Sequence, residues 1–299
     1  MASFLWSVRR KALDIFGADA FSWLDRSYAV DWAVACTAWI IAWFIKDIPP
    51  FQREFDPHDP VISHQHHKNT IGGNMNLMVA VLLPCAVVIV VGTSRLSAME
   101  IHHGLLGLWS SSGFNELITE CLKNRVGMLR PDFLTRCKWS DELQACTGKA
   151  QDMHEGRRSF PSGHSSTAFA GMAFLSLFLA GLTHSWCFSQ VSPARSLSST
   201  RLGRLFITLL PIAYATWVAV SRLEDYRHHK EDVIVGSLLG ISTATTCYLI
   251  YWPNPFTLTQ QTRANRHASR ARIVYGQETG TRQDYDYELA GVGHAGEPV

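Results

Sequence analysis

Charge is scarce in this chain of 299 residues. Asp, Glu, Lys and Arg make up 17% of it, against about 25% in an average soluble domain, and long stretches carry no charge at all. Basic residues are spread along the sequence and leave a net charge of only +2, which excludes the basic stripe of a nucleic-acid-binding surface. Arg9, Arg10 and Lys11 are followed by no uninterrupted apolar core within Met1–Ala20, so no cleavable signal peptide is expected, and the first apolar span is expected to act as the membrane-targeting element. No Asn-x-Ser/Thr sequon occurs, no Cys/His spacing resembles a structural zinc site, and no internal repeat is evident.

What the chain does have is apolar length. Hydrophobic residues account for 47% of the sequence. Six segments are long and apolar enough, or nearly so, to cross a bilayer, which takes about 17–25 residues of helix. They lie near Val30–Ile48, Met75–Gly92, His103–Leu122, Ser165–Leu182, Leu205–Val220 and Val233–Tyr251. The third contains Ser110, Ser111, Ser112, Asn115, Glu116 and Glu120. Alone it would fail a hydropathy cutoff, and its polar face is expected to line the protein interior, because polar groups facing lipid are costly. A soluble helical core is the ordinary alternative for the weaker spans, but Leu77–Gly92 is almost wholly apolar.

The expected fold is all-α: a six-span transmembrane bundle over 29–252, with an amphipathic lead at 1–28. After Trp252, Pro253-Asn254-Pro255 ends the last helix, and the tail 253–299 has the composition of a disordered segment. Six crossings place both termini on one side and gather three loops on the other: Asp47–Asn74, Lys123–His164 and Ser221–Asp232. Counting Lys and Arg on the two sides does not decide orientation. The Arg195, Arg201, Arg204 cluster and the tail arginines favour the terminal side as cytosolic. The cysteines number seven. Cys36, Cys85, Cys187 and Cys247 lie in or beside spans as small apolar side chains. Cys137 and Cys146 share one loop, as a disulfide if the loop faces an oxidising lumen or as two unpaired thiols.

Three polar clusters fall at the gathered face: Lys123-Asn-Arg-Val-Gly-Met-Leu-Arg130-Pro131, then Pro161-Ser162-Gly163-His164, then Ser221-Arg222 through His228 to Asp232. Together they hold what phosphomonoester hydrolysis needs. Arg130 and Arg222 offer guanidinium forks that match phosphate oxygens, and Lys123 adds a compact charge. Ser162-Gly163 stands just before a helix, where backbone N–H groups and the helix dipole favour an anion. His228 and Asp232, four apart, can share one helix face. Asp232 can then fix the tautomer of His228, leaving the other ring nitrogen to attack phosphorus. His164 remains to protonate the leaving alcohol.

Each cluster has an ordinary reading when taken alone. Lys123 and Arg130 could be snorkelling cations at a span end, Pro-Ser-Gly a turn and helix start, and His228–Asp232 a surface pair. Three such clusters at one face make coincidence a poor account. His64, His66 and His67 could hold a metal ion, though a solvated loop is the simpler reading. His229 neighbours the nucleophile candidate, but the spacing to Asp232 favours His228.

Lys-x6-Arg-Pro, Pro-Ser-Gly-His and Ser-Arg-x5-His-x3-Asp resemble the three signature motifs of the type 2 phosphatidic acid phosphatase superfamily. Lys123, Arg130, Pro131, Pro161, Ser162, Gly163, His164, Ser221, Arg222, His228 and Asp232 all match. The resemblance implies a six-span fold, lipid phosphate substrates, a phosphohistidine intermediate and activity without magnesium or another cofactor. It assigns Lys123, Arg130, Ser162, Gly163 and Arg222 to phosphate binding, His228 to the nucleophile, His164 to the general acid and Asp232 to the carboxylate that orients the nucleophile. The catalytic face is expected to look toward the exterior or an organelle lumen, in a vacuolar, Golgi, endoplasmic reticulum or plasma membrane.

Gly127-Met-Leu-Arg-Pro-Asp-Phe133 is similar to a stretch of the broad-specificity lipid phosphate phosphatases, and Pro50-Phe-Gln-Arg-Glu-Phe55 resembles the diacylglycerol pyrophosphate phosphatase branch. Met128 stands where Arg is common, so a secondary phosphate contact is expected to be missing, and Gln65 stands where that branch has Pro. A polyprenyl-pyrophosphate phosphatase is the nearest alternative. A vanadate-dependent haloperoxidase would use the same anion pocket but is expected to be soluble. A catalytically silent membrane scaffold is expected to have lost a signature residue, and none is lost here.

Overall fold

The computed structural model describes residues 15–16, 21–188, 200–257 and 269–275. Six long helices dominate them: α1 (Ser27–Lys46), α2 (Gly73–Ser94), α3 (Ala98–Val126), α6 (Gly163–Thr183), α7 (Arg201–Glu224) and α8 (Lys230–Tyr251). Between α3 and α6 lie the short helices α4 (Phe133–Cys137) and α5 (Ala150–Gly156), with a two-stranded antiparallel pair, β1 (Trp139–Ser140) and β2 (Ala145–Cys146). A Cys137–Cys146 disulfide closes that hairpin. Most of the 1–28 lead, Arg195 and most of the tail lie outside the described residues.

The architecture is all-α; α2, α3, α6 and α7 overrun the expected spans at both ends, while α1 stops at Lys46, short of Ile48, and α8 starts earlier but ends at Tyr251 as expected. Five of them, α1, α2, α6, α7 and α8, are long and apolar enough to cross a membrane. The sixth expected span, within α3, is not established on those grounds: at 29 residues the helix is long enough, but it is too polar. Its polarity is spent inside the bundle. Ser110, Ser111, Ser112, Asn115, Thr119, Glu120 and Asn124 are buried. Asn115 Nδ2 donates to Ser166 Oγ at 3.2 Å, Thr119 Oγ1 meets the same hydroxyl at 3.1 Å, and Ser111 donates to the Ala170 carbonyl at 3.4 Å. In a low-dielectric interior such partners are needed to offset desolvation.

Helix α6 is the axis of the bundle. Of its most apolar stretch 72% is buried, against 22–39% for the other four candidate spans. It packs against α8, α7, α3 and α2, while α1 leans on α3. Phe174 and Phe178 join Leu106, Tyr248 and Trp252 in the main core. Outward faces carry exposed Val30, Trp43, Phe44, Val90, Phe206 and Leu238, as expected of surfaces solvated by lipid rather than water.

The tail, expected to be disordered, is packed over residues 269–275. The Arg270 N–H donates to Glu100 at 2.8 Å, the Arg272 N–H to the Tyr251 carbonyl at 2.8 Å, and the Tyr275 hydroxyl to Asp31 at 3.0 Å. The Arg270 guanidinium lies over the rings of Phe178 and Trp252 at 5.6 and 5.5 Å, contacts that supply an aromatic anchor for a polar segment.

Candidate active site

Three loops meet at the α6 N-terminus. Ser162 is its N-cap: the hydroxyl accepts from the Ser165 N–H at 3.4 Å and from its hydroxyl at 3.0 Å. The Ser162 N–H donates to the Asp232 carbonyl at 2.9 Å, which ties the start of α6 to the start of α8. Gly236 allows this approach, because a Cβ there would lie 2.6 Å from the Ser162 carbonyl oxygen. Gly163 has a comparable role beside Lys123, whose Nζ lies 2.9 Å from the place of a Cβ.

A cavity of about 150 Å3 opens there, lined by Asn69, Arg130, Arg136, Glu155, His164, Arg222, Arg227 and His228. Four residues expected from the motifs are thus brought together: Arg130, His164, Arg222 and His228. Lys123, Ser162, Gly163 and Asp232 stand behind that lining. Lys123 is bound to Glu120 at 2.6 Å, and Glu120 also pairs with buried Arg158. Arg130 donates to the Glu155 carbonyl at 2.8 Å and approaches its carboxylate at 3.3 Å. Arg222 bonds the Ser221 hydroxyl at 2.9 Å, Asn69 at 3.3 Å and Asp225 at 3.0 Å.

The His228–Asp232 relationship differs from the expected one. Nδ1 of His228 donates to the Ser159 carbonyl at 2.8 Å, while Asp232 Oδ2 is 3.6 Å from that nitrogen. Asp232 Oδ2 instead accepts from the Ser159 hydroxyl at 2.6 Å and the His229 N–H at 2.9 Å. A carbonyl can only accept, so Nδ1 carries the proton and Nε2 holds a free lone pair. Asp232 contributes negative charge nearby rather than the tautomer-fixing bond. Burial pushes the His228 imidazole down to about 4; Asp232 opposes this, while Arg130 and Lys123 act with burial. The ring is therefore neutral near neutral pH. Nε2 of His229 donates to the Leu129 carbonyl at 3.0 Å, which separates it from this role. Nε2 of His164, also buried, has no hydrogen-bond partner among the described residues.

The first loop is solvent-exposed over 63–70, as expected, yet its contacts tie it to the site. Thr70 donates to Asp225 through its N–H at 2.8 Å and its hydroxyl at 2.7 Å. Nδ1 of His66 meets Asp132 at 2.7 Å, and His64 stacks on Tyr226 at 4.4 Å. Among the described residues no three His, Cys, Asp or Glu side chains are grouped to hold a metal ion. Met128 lines a neighbouring cavity, with Arg53, Phe55 and His229, and not the basic one. Ser159, Asn69, Glu155, Arg136 and Arg227 were missed from sequence. Only Arg227, inside the third motif and beside His228, gave a signal that could have found it.

A helical membrane protein whose loops enclose a phosphate-sized basic cavity with two imidazoles is the class that fold and site define. The PAP2 superfamily profile matches residues 104–256. The chain is 36% identical to lipid phosphate phosphatase 2 of Arabidopsis thaliana, over 77% of this chain and 79% of that protein. It is 34% identical to a probable diacylglycerol pyrophosphate phosphatase 1 of Schizosaccharomyces pombe, over 71% and 77% of the two. Diacylglycerol pyrophosphate phosphatase 1 of Saccharomyces cerevisiae is also 34% identical, over 68% and 72%. The chain belongs to the PAP2 superfamily. No solved structure matches it significantly.

Proposed function

We propose that this integral membrane enzyme dephosphorylates phosphatidate, lysophosphatidate and diacylglycerol pyrophosphate through a phosphohistidine on His228. The observation that carries the reading is the His228 tautomer: Nδ1 is committed to the Ser159 carbonyl at 2.8 Å, so Nε2 is the nucleophilic atom, and the ring lines one cavity with His164, Arg130 and Arg222.

The Nε2 lone pair attacks phosphorus as the bond from phosphorus to the lipid oxygen breaks. Burial, with Arg222 and His228 beside it, holds the His164 imidazole down to about 3 in the free protein; the negative charge of a bound phosphate favours its protonated form, which gives its proton to that oxygen. Arg130 and Arg222 hold the equatorial oxygens, with Lys123 and the backbone N–H groups at the start of α6 behind them. A cation about 4 Å from a phosphate oxygen contributes roughly 4 kcal/mol at an effective dielectric near 20, and fixed donors of this kind stabilise the charge of the transition state. Asp232 and the Ser159 carbonyl stabilise the positive charge of the phosphorylated ring. Neutral His164 then takes a proton from water as its oxygen attacks phosphorus, the P–N bond breaks, and inorganic phosphate leaves.

Helix α3 serves as the sixth crossing, its polar face turned to α6. The catalytic face looks toward the exterior or an organelle lumen. Support comes from the Cys137–Cys146 disulfide in a catalytic-face loop, since such bonds persist in oxidising compartments, and from the arginines of the terminal side.

Phosphate release from phosphatidate in detergent micelles tests the reading. His228→Ala is expected to abolish release, and wild-type activity is expected to survive chelation. Release by His228→Ala, or a strict magnesium requirement, would contradict the mechanism.

A further inference from the structure

The catalytic cavity holds four arginines, of which the signature supplies two. Arg130 and Arg222 are signature positions; Arg136 of α4 and Arg227, a variable position within the third motif, are not, yet both line the same space. Their carboxylate partners set the pairs apart. Arg130 and Arg222 each face a carboxylate of their own, Glu155 at 3.3 Å and Asp225 at 3.0 Å. Arg136 and Arg227 share Asp132, at 2.9 and 3.6 Å. Asp225 is a further countercharge to Arg227, but four guanidiniums against Glu155, Asp225 and Asp132 leave the cavity net positive.

Both side chains are only 9% exposed, where an unbalanced charge is costly. Nε of Arg227 is buried without a partner, while its Nη2 donates to the His67 carbonyl at 2.6 Å and meets the His66 ring at 3.2 Å; Arg136 bonds Asp132 through Nε. Asp132 itself is fully buried and also receives His66 at 2.7 Å, so the pair is held from behind. A buried donor without an acceptor, on a side chain that lines open space, is arranged for an acceptor that arrives. The space is sufficient: about 150 Å3 is roughly ten times what one water molecule needs.

We propose that Arg136 and Arg227, joined through Asp132, form a second phosphoryl-binding subsite contiguous with the catalytic one. This rests on the phosphatase reading above. The occupant is a phosphoryl group beside the one transferred, either inorganic phosphate on its way out or the second phosphate of a diphosphate lipid.

Methylenediphosphonate, which spans two phosphoryl positions and resists hydrolysis, and methylphosphonate, which fills one, are the probes. Their affinities for the full chain are read from ligand-induced rises in unfolding temperature. Wild type is expected to bind methylenediphosphonate at least about tenfold more tightly. Arg136→Gln and Arg227→Gln are each expected to erase most of that advantage; retention of it in both overturns the proposal. Should a glutamine variant not fold, Arg136→Lys and Arg227→Lys replace it. Loss of the guanidinium fork then reduces the advantage about threefold, and full retention overturns the subsite.

A second arm assigns the occupant. If the variants lower kcat/KM for diacylglycerol pyrophosphate about tenfold relative to phosphatidate, the occupant is the substrate's own second phosphate. If that ratio holds while inhibition by inorganic phosphate weakens, it is the departing product. No change in either overturns the proposal. Wild type that binds the diphosphonate but hydrolyses neither lipid refutes the phosphatase reading and not the subsite.

Discussion

The hydroxyl of Ser159 donates to Asp232 Oδ2 at 2.6 Å, while the carbonyl of the same residue receives His228 Nδ1 at 2.8 Å. A residue outside the three motifs therefore touches both members of the His–Asp pair. Its main chain fixes which ring nitrogen is protonated; its side chain holds the carboxylate beside the ring. Tautomer and charge, usually the work of one carboxylate, are divided here between two groups.

Separate effects are expected on removing each group. Ser159→Ala keeps the carbonyl and loses the hydroxyl, so kcat on phosphatidate is expected to fall only about tenfold. Asp232→Asn removes the charge but not the tautomer lock, and about a hundredfold loss is expected. Steady-state kinetics decide the matter: a loss as complete as that of His228→Ala would show that Asp232 sets the tautomer.

The pH profile should carry the mark of a buried imidazole. Burial lowers His228 from its ordinary 6.5 to about 4, so the free enzyme keeps its nucleophile neutral as pH falls below 6.5 and loses it only toward 4. The acid limb of kcat/KM shared by two substrates with different phosphate ionisations belongs to the enzyme. It is expected below 6.5, and a shared limb above 6.5 contradicts the assignment. Stability follows the same sign: the contribution of this ring is complete above 6.5 and is lost as pH falls to about 4.

Glu120 bridges Lys123, at 2.6 Å, and buried Arg158. Glu120→Gln leaves a guanidinium buried without its countercharge, which typically costs about 3–5 kcal/mol. The unfolding temperature is expected to drop accordingly. Glu120→Leu combined with Arg158→Met should be less destabilised than Glu120→Leu alone, and additive losses in this cycle would argue against the buried pair.

A methyl group at Gly236 would force α8 away from the start of α6, since its Cβ would lie 2.6 Å from the Ser162 carbonyl oxygen. Gly236→Ala is expected to cost about 1–3 kcal/mol of stability and to reduce kcat by moving the anion-facing helix end. Wild-type activity and melting in this variant would show that the two helices need not meet so closely.

The sequence by itself determined the helical class, the inward polar face of α3 and the residue types of the catalytic centre. Helical periodicity and motif spacing are local properties, and Arg130, His164, Arg222 and His228 carry distinctive side chains within recognisable strings. Tertiary structure decided what those strings meet. The Ser159 carbonyl has no side-chain signature and is 69 residues from His228. Asn69 reaches Arg222 across 153 residues, and Asp132 joins Arg136 to Arg227 only because two loops fold onto one cavity. Residues 269–275 pack because the bundle end presents Glu100, Tyr251 and Asp31 to them, although their own composition favours solvent. Hydrogen bonds and ion pairs between distant loops depend on distance in space, and that distance exists only once the helices have packed.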